Sequence, residues 1–154
     1  MTVAANDRVV TRVLDAPRDK VWRCWVEPEL LKQWFCPKPW YVSQARIDLR
    51  PGGEFFTVMN GPNGEQLGEP GVFLEVVDKE RLVFTDAFRP NWRPSGRPFM
   101  AAEVVFENAG AGKTRYIGRA MHWTVEARKE HEDMGFHEGW GKAADQLEAL
   151  AQTL

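Results

Sequence analysis

A chain of 154 residues with a formal net charge of -2 and two cysteines is long enough to bury roughly 70% of its unfolded surface around one core, without disulfide or metal support. That charge supplies no basic field to hold a phosphate backbone, which argues against nucleic acid as a partner, and Cys24 and Cys36 are too few for a disulfide framework or a structural zinc. Residues 1–25 carry charge from Asp7 to Arg23 with no apolar h-region, and no segment approaches the ~18 apolar residues of a spanning helix. A cytoplasmic protein with no membrane attachment is expected.

In chain order, residues 8–14 (RVVTRVL) read as a first strand, and Ala16-Pro17 places proline where a helix begins. The helix that follows buries Val21, Trp22, Trp25 and Val26 as one stripe. Pro28 ends it and starts a second short helix through Leu31, Trp34 and Phe35, which Pro37 closes. Six strands are then predicted over residues 42–49, 54–60, 71–77, 82–88, 99–107 and 114–123. Their connections at Pro51-Gly52-Gly53, Asn63-Gly64 and residues 108–112 suit positive φ, so sequential hairpins and an antiparallel meander follow. Residues 71–77 are apolar on both faces and take no assignment. No repeat or linker interrupts the chain, and residues 1–154 are read as a single domain.

The last segment, residues 125–150, is helical by pattern: Phe136, Trp140, Ala143, Leu147 and Leu150 recur at three and four residues. Gly135, Gly139 and Gly141 sit inside it, each at roughly 1 kcal/mol against alanine, and call for close packing on the sheet or a ligand near the helix backbone. One sheet followed by one long helix buries its faces best as a curved antiparallel sheet gripping the helix, with room for a cavity between them.

Familiar motifs fail on inspection. Gly112-Lys113-Thr114 resembles the end of a nucleotide-binding loop, but Glu107 stands where the first glycine is needed and the segment joins strand to strand. His131-Glu132 lacks the second histidine four residues on, where Gly135 stands, and neither a metal nor any other cofactor is expected. No catalytic constellation emerges.

The blocks APRDKVWRCWVEPELLKQWFCP (16–37), DLRPGGEF (48–55), GVFLEVVDKERLVFTD (71–86), PFM (98–100), GKTR (112–115) and EDMGFHEGW (132–140) together resemble the family related to the C-terminal domain of the activator of heat-shock-protein-90 ATPase. That family belongs to the START-like, or SRPBCC, superfamily. The resemblance spans nearly the whole chain and implies an α+β helix-grip fold of order β-α-α-β6-α, with a hydrophobic cavity under the long C-terminal helix. It implies a binder of a small hydrophobic or amphipathic molecule. A chaperone-linked stress-response or interaction module is the alternative, and a cyclase or hydrolase using the same cavity is a third. The eukaryotic namesake resembles this chain only in its C-terminal part and carries a separate N-terminal chaperone-binding domain, which is not expected in this chain. Fold alone does not decide among these.

Within that frame, alternation selects an expected lining. Tyr116, Gly118, Ala120 and His122 share one face of the last strand; Met100 and Ala102 face in from the strand before; Phe84 with Asp86, and Phe55 with Thr57 and Met59, supply two further rows. Phe136, His137 and Trp140 complete the set from the helix. His122, Asp86 and Thr57 provide polar handles, and His122 and Asp86 an acid and base in principle. The irregular stretch 88–98 offers Trp92 with Arg89, Arg93 and Arg97, readable as a lid, a homodimer contact or a solvated loop.

Overall fold

The computed structural model describes residues 4–96 and 98–154. Strand β1 (Asp7–Leu14) buries Val10 and Leu14 and leads into α1 (Arg18–Val26) and α2 (Pro28–Leu31). Then come β2 (Tyr41–Ile47), β3 (Glu54–Asn60), the short β4 (Gln66–Leu67), β5 (Gly71–Val77) and β6 (Arg81–Thr85). A small hairpin of β7 (Phe88–Arg89) and β8 (Arg93–Pro94) precedes the long pair β9 (Met100–Asn108) and β10 (Thr114–His122), and helices α3 (Val125–Asp133) and α4 (Phe136–Ala151) finish the chain.

The main sheet runs β1-β10-β9-β6-β5-β3-β2, antiparallel throughout, with β4 paired to β3. It curls into a half-barrel around α4 in the helix-grip arrangement. The expected turns carry the left-handed glycines they need: Gly52 (φ 79), Gly64 (φ 84), Gly110 (φ 102) and Gly112 (φ 68). In β5 the unassigned pattern has a cause. Its register with β6 shifts between Phe73 and Glu75, and this bulge leaves Val72 and Phe73 buried while Leu74 faces solvent.

The core is aromatic. Trp25 sits at its centre, with ring centroids 5.1 Å from Trp34, 5.6 Å from Phe35 and 5.7 Å from Phe84, and Phe55 stacks on Phe73 at 5.2 Å. The buried indole donors of this core are paired, as desolvation requires. The Trp34 indole N–H donates to the Cys24 carbonyl at 2.9 Å and the Trp25 indole N–H to the Tyr116 hydroxyl at 3.2 Å. Cys24 and Cys36 are free and buried, and burial pushes both thiols up to about 11, so neither is a nucleophile at neutral pH.

The C-terminal segment departs from the expected continuous helix over 125–150. Gly135 takes a left-handed φ of 86 and becomes the N-cap of α4, breaking the segment into α3 and α4. Thr124 begins α3 with its side chain accepting from the Ala127 N–H at 3.0 Å. Gly135 therefore serves a turn rather than a helix interior. In α4, Gly141 is the site of close approach: a Cβ there would stand 2.6 Å from Arg12 Nη2. Among the described residues, no helix is long and apolar enough to cross a membrane.

Candidate functional site

The break at Gly135 sets α3 across one end of the sheet, where a second apolar cluster forms apart from the aromatic core. Val10, Ala120 and Phe136 are its buried members, and Met100 and Trp140 pack against it. The residues come from β1, β10, β9 and α4, so the cluster exists only once the sheet has closed on the helix.

Two imidazoles cap this cluster. His122, at the end of β10, and His131, on α3, are both buried, and His122 Nε2 lies 2.9 Å from His131 Nδ1. His122 Nδ1 lies 2.7 Å from the Asn6 carbonyl, which can only accept, so that nitrogen carries a proton. In the neutral pair His131 Nδ1–H then donates to His122 Nε2, leaving His131 Nε2 as an acceptor with no protein partner among the described residues. Burial, and then the neighbouring His122, lower the His131 pKa to about 4.

Aromatic rings enclose the pair. Phe99 stands 5.6 Å from His122 and 5.1 Å from His131, Phe136 5.0 Å from His131, and Trp140 6.1 Å from it. Asp86 holds Phe99 in place: its carboxylate accepts from the Phe99 N–H at 2.8 Å and the Met100 N–H at 3.2 Å. Thr85 adds a hydroxyl bond to the Met100 carbonyl at 3.0 Å. Asp86 thus reaches the histidines through Phe99. On the outer side, Glu132 of α3 pairs with Arg8 of β1 and accepts from Arg128 at 3.4 Å, tying α3 to the sheet edge.

The expected lining divides between two places. Met100, Ala120, His122, Phe136 and Trp140 gather at the histidine end, and Gly118 lies under Trp140, whose ring atoms would stand 3.1 Å from a Cβ added there. Phe55, Phe84 and Tyr116 belong to the main aromatic core, and Ala102 is fully buried in β9. Burial raises the Tyr116 pKa. Thr57 and Met59 are half-buried on β3, and His137 is exposed on α4. Trp92 and Arg89 lie with Arg93 on the small hairpin; Trp92 is 49% exposed at a left-handed φ of 58, with its indole 3.0 Å from a Cβ built on Gly52, and Arg89 pairs with Glu69 at 3.1 Å. Arg97 lies outside the described residues.

His131 is a functional candidate that the sequence does not reveal, since its one local signal, the His131-Glu132 pair, is an incomplete metal motif. Nothing in the spacing of His122 and His131 announces their meeting. No group of three metal-binding side chains occurs among the described residues. What the pair offers is one ring nitrogen without a protein partner among the described residues, at the edge of an apolar cluster and able to accept a hydrogen bond from a hydroxyl or amide.

A family model, Activator of Hsp90 ATPase homolog 1-like protein, matches residues 15–152. Among solved structures, a protein from Nitrosomonas europaea is 49% identical, with a TM-score of 0.94 over 99% of this chain and 97% of that one. A protein from Mycobacterium smegmatis is 26% identical, with a TM-score of 0.79 over 95% and 90%. An AHSA1-like protein from Aeromonas hydrophila shares the fold at 18% identity and a TM-score of 0.69 over 95% and 93%. No curated protein matches the sequence.

Proposed function

Because the chain belongs to the Activator of Hsp90 ATPase homolog 1-like family, with the helix-grip architecture of the START-like (SRPBCC) superfamily, we propose that it binds a small amphipathic molecule at the histidine end of the helix-grip interior. The observation that carries this reading is His131 Nε2, which has no protein partner among the described residues, at the rim of a discrete apolar cluster. An apolar enclosure with few convergent polar atoms is the general composition of a small-molecule site. Trp140 occupies the place over Gly118 that a ligand's apolar body would take. Entry therefore requires the indole to swing away and α3, joined to α4 through the left-handed Gly135, to lift with it.

A second reading has its own support. The filled aromatic core around Trp25 suits an interaction module linked to a chaperone, which needs no open interior. Titration with a naphthalene-based fluorescent probe separates the two. A ligand site binds the probe saturably at one per chain, and Trp140→Ala, by emptying the space over Gly118, tightens that binding. Absence of saturable binding in both wild type and Trp140→Ala refutes the ligand reading and leaves the interaction module.

A further inference from the structure

The end of the sheet opposite the histidines carries a separate constellation of positive charge. Strand β10 runs from Thr114 to His122, so the two ends lie about 25 Å apart at ~3.3 Å per residue. At the Thr114 end a concavity of about 230 Å³ opens where three elements meet, lined by Arg18, Lys79 and Lys113 with Asp19, Gly110 and Gly112. The three cations come from the start of α1, the β5–β6 turn and the tip of the β9–β10 hairpin.

These elements are pinned to one another. Thr114 is completely buried, and its hydroxyl donates to the Ala16 carbonyl at 2.7 Å, fixing the hairpin against the entry to α1. The Phe106 N–H donates to the Glu80 carbonyl at 2.8 Å, fixing the β5–β6 turn beside β9. Left-handed backbone at Lys79 (φ 60), Gly110 and Gly112 shapes the rim.

Elsewhere most arginines stand in ion pairs, yet Arg18, Lys79 and Lys113 have none among the described residues. Three cationic residues line this concavity with one acidic residue, Asp19, in a chain whose net charge is -2. Like charges gathered around one concavity favour an anion between them. A carboxylate is served by a single arginine; three charge-assisted donors from three directions suit a dianion with several oxygens. The first turn of α1 also carries no side-chain cap; the Lys20 N–H is taken by the Pro17 carbonyl at 3.1 Å, so the Arg18 and Asp19 amides are the ones without a capping side chain. The concavity has room for about eight waters at ~30 Å³ each, enough for a phosphate with a short carbon body.

We propose that this concavity binds the phosphate monoester group of a small molecule through Arg18, Lys79 and Lys113.

Backbone-amide NMR of the full chain, titrated with inorganic phosphate and then phenyl phosphate at fixed pH and ionic strength, tests it. Both anions should shift the Arg18, Asp19, Gly112 and Lys113 amides saturably, whereas chloride should not. The double variant Lys79→Gln, Lys113→Gln should weaken binding about tenfold at unchanged melting temperature, because both side chains are exposed. Asp19→Asn, which removes the competing carboxylate, should tighten it. The proposal fails if the shifts stay linear, fall elsewhere, or survive the double variant. It fails in its small-molecule form if phenyl phosphate does not saturate while vesicles containing phosphatidic acid retain the protein, since the phosphate recognised would then be a lipid headgroup. Probe binding at the histidine end is unaffected by any of these results.

Discussion

Acidification should destabilise this protein through His131 in particular. Its folded-state pKa is lowered from 6.5 to about 4 by burial and by His122, so the unfolded chain takes up a proton that the folded chain refuses. Stability from this group is therefore complete above about pH 6.5, falls as the pH drops toward 4, and changes no further below that. Linkage between those two values gives a loss of about 2 kcal/mol at pH 5 relative to neutral pH, or roughly 4–8 °C of melting temperature for a domain of this size. Chemical denaturation of wild type and His131→Phe at pH 7.5, 6, 5 and 4.5 isolates the effect. Phenylalanine keeps the ring packing against Phe99 and Phe136 but leaves His122 Nε2 without its donor, which shifts the whole curve down by about 1 kcal/mol. The informative quantity is the slope: the variant should lose about 2 kcal/mol less than wild type between neutral pH and pH 5. Parallel curves would show that His131 is protonated as readily in the fold as outside it, and the account of the pair would be wrong.

Trp22 is 5% exposed and meets Phe106 edge to face at 5.3 Å, so Trp22→Ala should cost about 3–5 kcal/mol by urea denaturation; unchanged stability would mean α1 is not part of the core. Gly118→Leu pushes a side chain into the Trp140 indole, whose atoms lie 3.1 Å from the new Cβ. A loss of about 1–3 kcal/mol is expected, and a more stable variant would show the space to be open.

Much of the fold could be read from residues alone because turn chemistry brackets the strands. Residues 54–60 and 71–77 coincide with β3 and β5, since Gly52 and Gly64 occur where left-handed backbone is needed. The break between α3 and α4 is not legible in the sequence for a physical reason: Phe136, Trp140 and Ala143 keep clean helical spacing within α4, and a glycine beside such a pattern looks like a tolerated one until its φ is known. The histidine pair was hidden more thoroughly. His122 reads as an inward-facing handle on the last strand and His131 as half of a failed metal motif, and only the turn at 123–124 folds one onto the other. The small members Gly118 and Ala120 were legible by alternation, but what stands over them is set by the rotamer of Trp140, which spacing does not encode.

The placement of β1 beside β10 has a consequence for synthesis. Asp7 pairs with Met121 and Leu14 with Thr114, so the first strand made waits on the order of 10 s at typical elongation rates before its partner leaves the ribosome. During that time Val10 and Leu14, and the tryptophans of the opening helices, have no sheet to cover them. The nascent chain thus exposes apolar surface over most of its length, and slowing translation after β9 should lower the yield of folded protein more than slowing it within α4.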